Sequence, residues 1–115
     1  MHTLKKFSIG LLFFISLSAV AEFEAITRSY EISLDEFRVP ATANSALSFK
    51  QCASCDIETV RVTNRTQYIV NNKRIELLEF KKVISRVRDR EDQGIIVKHH
   101  LESDTIVAVS ISLPR

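Results

Sequence analysis

Cys52 and Cys55 are the residues whose type and spacing point most directly to chemistry. A Cys-x-x-Cys segment exchanges disulfides when one thiol has a lowered pKa and the second resolves the mixed disulfide. That use calls for a strand leading into a helix N-terminus at the cysteines. Here a β-branched strand pattern begins almost at once, at Ile57, and no aromatic residue directly precedes Cys52. Pro114 is the only proline downstream, so the chain offers no cis-proline to face the thiols. The competing use is a structural disulfide, Cys52–Cys55, closing the turn between two strands. For so short a loop the chain-entropy model gives about 2 kcal/mol before any strain. A third use is metal binding, with His99 or His100 as a further ligand and Asp56 as a fourth. Adjacent strand residues point to opposite faces, so the two histidines do not readily join one site. The structural disulfide is the expectation, with thiol–disulfide exchange and metal binding as alternatives. No catalytic residue, cofactor-binding residue or metal set is assigned.

The histidines have an ordinary role open to them. On a strand His99 shares a face with Ile95, Val97 and Leu101, and His100 shares the other with Ile96 and Lys98. The first is expected partly buried and hydrogen-bonded, the second exposed. Lys81, Lys82, Arg86, Arg88 and Arg90 make a basic run whose end is interleaved with Asp89, Glu91 and Asp92. That pattern describes a solvated, self-compensating surface, with an acidic partner or anionic headgroups as the sharper alternative. No Gly-x-Ser-x-Gly segment is present. Asn64-Arg65-Thr66 matches the glycosylation acceptor pattern, which matters only in a eukaryotic secreted chain.

The elements that must position these residues follow from periodicity. Ile26, Tyr30, Ile32 and Leu34 alternate with Thr27, Ser29, Glu31 and Ser33, the period-2 signature of a half-buried strand. Pro40 stops this region, and the small polar stretch 41–46 is a loop. A strand through Leu47 and Phe49 leads to Cys52, and another runs over 57–63. Asn71-Asn72 separates two strand-like runs, 68–70 and 74–77, and asparagine tolerates the positive φ of a tight hairpin turn. The period then changes: Leu77, Phe80, Ile84 and Val87 recur at helical spacing, giving one amphipathic helix over about 77–89. A charged loop ends at Gly94. The last stretch reads as a hairpin, 95–101 and 105–113, with Val107, Val109, Ile111 and Leu113 as one apolar face. The predicted class is α+β: a small antiparallel sheet, curled or barrel-like, with one helix and a C-terminal hairpin.

Residues 1–21 read as a cleavable signal peptide. Lys5 and Lys6 precede an apolar run from Phe7 to Leu17, and Ala19-Val20-Ala21 supplies small residues ahead of Glu22. The run is shorter than the ~20 residues of a membrane crossing. Cleavage near Ala21-Glu22 leaves a single small domain, 22–115, periplasmic or secreted, with no integral membrane segment. Of 16 Lys+Arg, two lie in the leader, which leaves the remainder balanced against 14 Asp+Glu. Without a net positive field, nucleic acid is not an expected partner. A domain this small is marginal alone, and an oxidising compartment makes a disulfide the default for nearby cysteines.

The stretch from Val62 through Thr63, Asn64, Arg65, Thr66, Gln67, Tyr68, Ile69, Val70, Asn71, Asn72 and Lys73, followed by Ile75, Leu77 and Phe80, resembles small exported bacterial domains of unassigned function. In those a threonine-led strand, an Asn-Gly-Lys-type turn and a short helix recur; Asn72 stands here where such turns commonly carry glycine. The resemblance implies a bacterial envelope setting and transfers no functional residue. The expected function is a non-enzymatic binding or assembly module without a cofactor, its partner another envelope protein.

Overall fold

The computed structural model describes residues 26–114 and is built mostly of sheet with one helix. The leader at residues 1–21 lies outside the described residues. Strand β1, Thr27–Ser33, turns Ile32 and part of Tyr30 inward and leaves Thr27, Ser29 and Glu31 exposed. A single 3-10 turn, Leu34–Glu36, carries the chain into the short β2, Phe37–Arg38. Strands β3, Ala46–Phe49, and β4, Glu58–Arg61, form an antiparallel pair with Leu47 opposite Val60. Strands β5, Gln67–Val70, and β6, Lys73–Ile75, are joined by Asn71 and Asn72 at φ 50° and 68°. Both central residues in the left-handed region make the turn that matches strand twist, as the sequence predicts for this dipeptide. Helix α1, Leu77–Ser85, follows, then β7, Gly94–His100, and β8, Thr105–Ile111.

The sheet runs β1-β7-β8-β4-β3-β2, with β5 also against β8 and β6 outside β5. It is mixed, not antiparallel as the sequence suggests. β8 runs parallel to β5, from Gln67 opposite Ala108 to Val70 opposite Ile111, and meets β4 in one parallel bridge, Arg61 opposite Thr105. Parallel neighbours need a long crossover, and β6, α1 and β7 lie inside this one. Local turn signals cannot reveal such a pairing. No ladder among the described residues joins β1 to β2, so the sheet is open and does not close as a barrel.

Two further expectations change. The helix ends at Ser85, well short of 89. Arg86 and Val87 close back on Val83 and Ile84 with i→i−3 bonds, Ser85 Oγ donates to the Lys82 carbonyl, and Arg90 Nη1 donates to the Ile84 carbonyl. Those carbonyls are thereby satisfied without another helical turn. Val87 still packs against the core from the loop. In β8, Lys98 pairs with Ala108 but His99 with Ile106, leaving Val107 as the extra residue of a bulge. The bulge puts Ile106 in the core and leaves Val107 41% exposed, so Val107 does not share the apolar face of Val109 and Ile111.

The core joins Leu34, Phe37, Leu47, Phe49, Val62, Ile95, Val97, Ile106, Val109 and Ile111 with Phe80 and Ile84 of α1. Burying a large apolar side chain of this kind stabilises by about 1.5–3 kcal/mol each.

Candidate functional site

Cys52 and Cys55 are joined as a disulfide with Cα atoms 5.0 Å apart, in the connection between β3 and β4. The Cys55 amide donates to the Cys52 carbonyl at 3.1 Å, and Gln51 Nε2 donates to Glu58 Oε2 at 2.7 Å across the same connection. Cys52 is exposed and Cys55 half-buried. The pair sits at no helix N-terminus, which is where the redox use of such a segment gains its low thiol pKa. A cavity beside Cys52 is lined by Asp35, Glu36 and Glu91 together with one cation, Lys50. Asp56 stands exposed, and the described residues contain no group of three or more His, Cys, Asp or Glu side chains placed to hold a metal.

The histidines lie at the end of β7, where they bind the turn leading to β8. His99 Nε2 and Asp104 Oδ1 are 2.7 Å apart, and the His99 ring lies 6.3 Å from that of Tyr30. His100 Nδ1 accepts from the Ser103 amide at 3.2 Å and lies 2.7 Å from Ser103 Oγ, which lies 2.7 Å from Thr105 Oγ1. Asp104 takes φ 53°, a conformation that aspartate tolerates. Both rings are half-buried, whereas the alternation predicts an exposed His100. The short turn folds Ser103 over it. Both histidines thus spend their polar atoms on local structure. In the basic run, Lys81 donates to the Ala41 carbonyl and Lys82 lies 3.8 Å from Glu79.

A polar cleft lies where β4 and β5 fail to make one continuous strand along β8. Between them the chain turns, with the Thr66 amide donating to the Thr63 carbonyl at 3.0 Å. The gap in the ladder leaves the Ile106 carbonyl without a backbone donor. Thr66 Oγ1 supplies it, donating to that carbonyl at 2.6 Å while accepting from the Thr63 amide at 3.0 Å. Thr66 is the one buried polar residue among those described. A hydroxyl both donates and accepts, so one side chain repairs both orphaned groups. Asn44 Nδ2 donates to Asn64 Oδ1 and ties the turn to the loop before β3.

This turn, the end of β6 and the start of α1 wall a cavity of about 630 Å³. Its lining includes Thr66, Tyr68, Ile75 and Leu77, with Arg65, Arg74 and Glu76 at charged positions. Arg65 and Arg74 are exposed, and neither has an ion-pair partner among the described residues. Glu76 precedes α1 in extended conformation, and its side chain makes no capping bond. The first intrahelical bond runs from the Phe80 amide to the Glu76 carbonyl, so the amides of Leu77, Leu78 and Glu79 have no intrahelical acceptor.

Tyr68 pairs with Ile75 across the hairpin and stacks on Phe80 with ring centroids 5.2 Å apart. It is only 4% exposed, and its hydroxyl is the single buried side-chain polar atom without a partner among the described residues. Burial pushes its pKa up to about 12, so the phenol keeps its proton at neutral pH and remains a donor. Ordinarily a buried polar group is satisfied, and an exception calls for an explanation.

Sequence reasoning singled out the cysteines and histidines and passed over Thr66, Tyr68, Arg65 and Arg74. The available signal was the polar break Thr63-Asn64-Arg65-Thr66 between two apolar strand runs. No protein-family model matches the chain, and comparison with curated proteins and with solved structures returns no similar one.

Proposed function

We propose that the chain is an exported, non-enzymatic binding module of the bacterial envelope, stapled by Cys52–Cys55, with the groove beside Thr66 as its binding face. One observation carries the groove: a pocket of ligand-sized volume, about 630 Å³, includes in its lining a tyrosine whose buried hydroxyl has no partner. Strand ends and a helix start wall the groove, so its backbone polar groups are held in place before a ligand arrives. Export draws its support from the leader-like residues 1–21 and from the disulfide, which an oxidising compartment maintains.

Two measurements test this. Fractionating the source cell and weighing the intact product should give a chain beginning at Glu22, lighter than the dithiol form by the two hydrogens lost on cystine formation. A full-length intracellular product with both thiols free would overturn the export. For the groove, isotope-labelled protein exposed to the small-molecule fraction of an envelope extract should show amide shifts at Thr66, Gln67, Ile75 and Leu77. Shifts confined to another face would overturn the groove as the binding surface.

A second reading, thiol–disulfide exchange, rests on the exposure of Cys52 at the end of a hairpin. It requires ready reduction by dithiothreitol in the native fold and a thiolate forming below the ordinary thiol pKa of ~8.5. A disulfide resistant to that reductant while the protein stays folded removes it.

A further inference from the structure

We propose that β1 is a self-association edge: two copies of the chain pair their β1 strands antiparallel about a two-fold axis, extending one sheet into the other. The sheet ends at β1, β2 and β6. Two of these ends are blunted, β2 by its two-residue length with Pro40 just beyond it, and β6 by three residues that include Lys73 and Arg74. β1 has no such device. It runs seven residues without proline, lysine or bulge, and its charges are Arg28 and Glu31. Leu101 donates to the Ile26 carbonyl and Leu34 to the Gln93 carbonyl, both at 2.7 Å, which fixes the phase of the ladder with β7. Even-numbered residues therefore bond to β7, while Thr27, Ser29, Glu31 and Ser33 turn their amides and carbonyls to the open side. None of those groups has a partner among the described residues. Thr27, Ser29 and Glu31 are also exposed. Such a row of unpaired backbone groups is matched by another extended strand.

The residues of β1 favour a second copy as that strand. Outward groups meet outward groups only when odd-numbered residues face odd-numbered ones, so the two-fold axis falls at Ser29, Tyr30 or Glu31. Centring on Glu31 sets two carboxylates face to face. Centring on Tyr30 sets the charged Arg28 opposite the partner's Ile32, a core residue only 2% exposed. It also brings the partner's Thr27 against Ser33, whose hydroxyl is held by the Arg90 and Glu91 carbonyls. Centring on Ser29 avoids both conflicts. Thr27 then faces the partner's Glu31, and Arg28 faces the partner's Tyr30, a half-buried ring that receives the guanidinium. Arg28 is exposed and has no ion-pair partner among the described residues. Pairing over 27–31 makes about six backbone hydrogen bonds. It covers much less than the ~1,600 Å² of a standard interface, so the dimer is weak and forms on concentration. A two-fold contact closes on itself, and association stops at two copies.

The test is sedimentation of the intact, oxidised protein from about 10 µM to about 1 mM, with amide hydrogen exchange read at both ends of the range. The protein should be monomeric when dilute and dimeric when concentrated. The amides of Thr27, Ser29 and Glu31 should exchange freely in the first state and be protected in the second. Ser29→Lys places two ammonium groups face to face at the axis and should weaken association at least about tenfold, while Ser29→Thr keeps it. Ser29 is exposed, and unchanged resonances along β7 would confirm that both variants keep the parent fold. A protein still monomeric at about 1 mM overturns the proposal. So does a dimer that Ser29→Lys leaves intact, or one whose β1 amides gain no protection. Protection of those amides in the dilute monomer would mean that the chain covers its own edge, which equally removes the second copy. The groove beside Thr66 is lined by no residue of β1 or β7, so each of these failures leaves the binding-face reading standing.

Discussion

The β3–β4 connection and the β4–β5 connection are both interruptions of the same sheet, and they are held in opposite ways. The first is closed by a covalent bond between Cys52 and Cys55 in a largely exposed loop. The second is closed by one threonine, 8% exposed, whose hydroxyl serves a carbonyl 40 residues away and an amide in its own turn. A covalent staple works on an exposed loop because its effect is felt mainly in the unfolded chain. A hydrogen bond matters most where water is excluded and an unmade bond leaves a bare polar group. The residues with recognisable chemistry therefore sit where they do little to shape a site, and the site is shaped by residues without a motif.

The largest effect that tests this contrast is Thr66→Val. Keeping the shape but removing the hydroxyl orphans the Ile106 carbonyl and the Thr63 amide together, and should cost about 2–4 kcal/mol in a denaturant melt. A loss below about 0.5 kcal/mol would mean water repairs the gap unaided. Replacing both cysteines, Cys52→Ala with Cys55→Ala, should cost about 2 kcal/mol or less and leave the groove's resonances unmoved. If the groove amides shift instead, the two connections are not independent and the contrast fails.

Tyr68→Phe has the smallest expected effect and the most informative sign. The hydroxyl has no partner, so its removal should leave stability unchanged or raise it by about 1 kcal/mol. A destabilisation of that size would show that the hydroxyl is bonded in solution. The same residue sets an alkaline limit. With the folded pKa near 12 and the unfolded one near 10, the unfolded chain loses its proton first as pH rises. Stability from this group is complete below pH ~10 and is lost between about 10 and 12. The loss of stability over that window should be shallower in Tyr68→Phe than in the parent.

Much of the fold was legible because its signals are local. Alternation at Tyr30 and Ile32, the left-handed tolerance of Asn71-Asn72 and the helical spacing of Phe80 and Ile84 all act within a few residues. The end of α1 was not legible, because Arg90 reaches back to cap a carbonyl from beyond the helix. Nor was the bulge at Val107, which exists only by virtue of β7 beside it.

By itself the sequence determined the element types, the tight turn, the proximity of Cys52 to Cys55 and a leader-like start, all products of short-range sterics, periodicity and composition. Only the tertiary structure decided that β8 would lie parallel to β5, that Ile106 would replace Val107 in the core, and that Thr66 would bridge a gap in the ladder. Those outcomes depend on which strand reaches β8 after a long crossover, and no residue carries that information in its own neighbourhood.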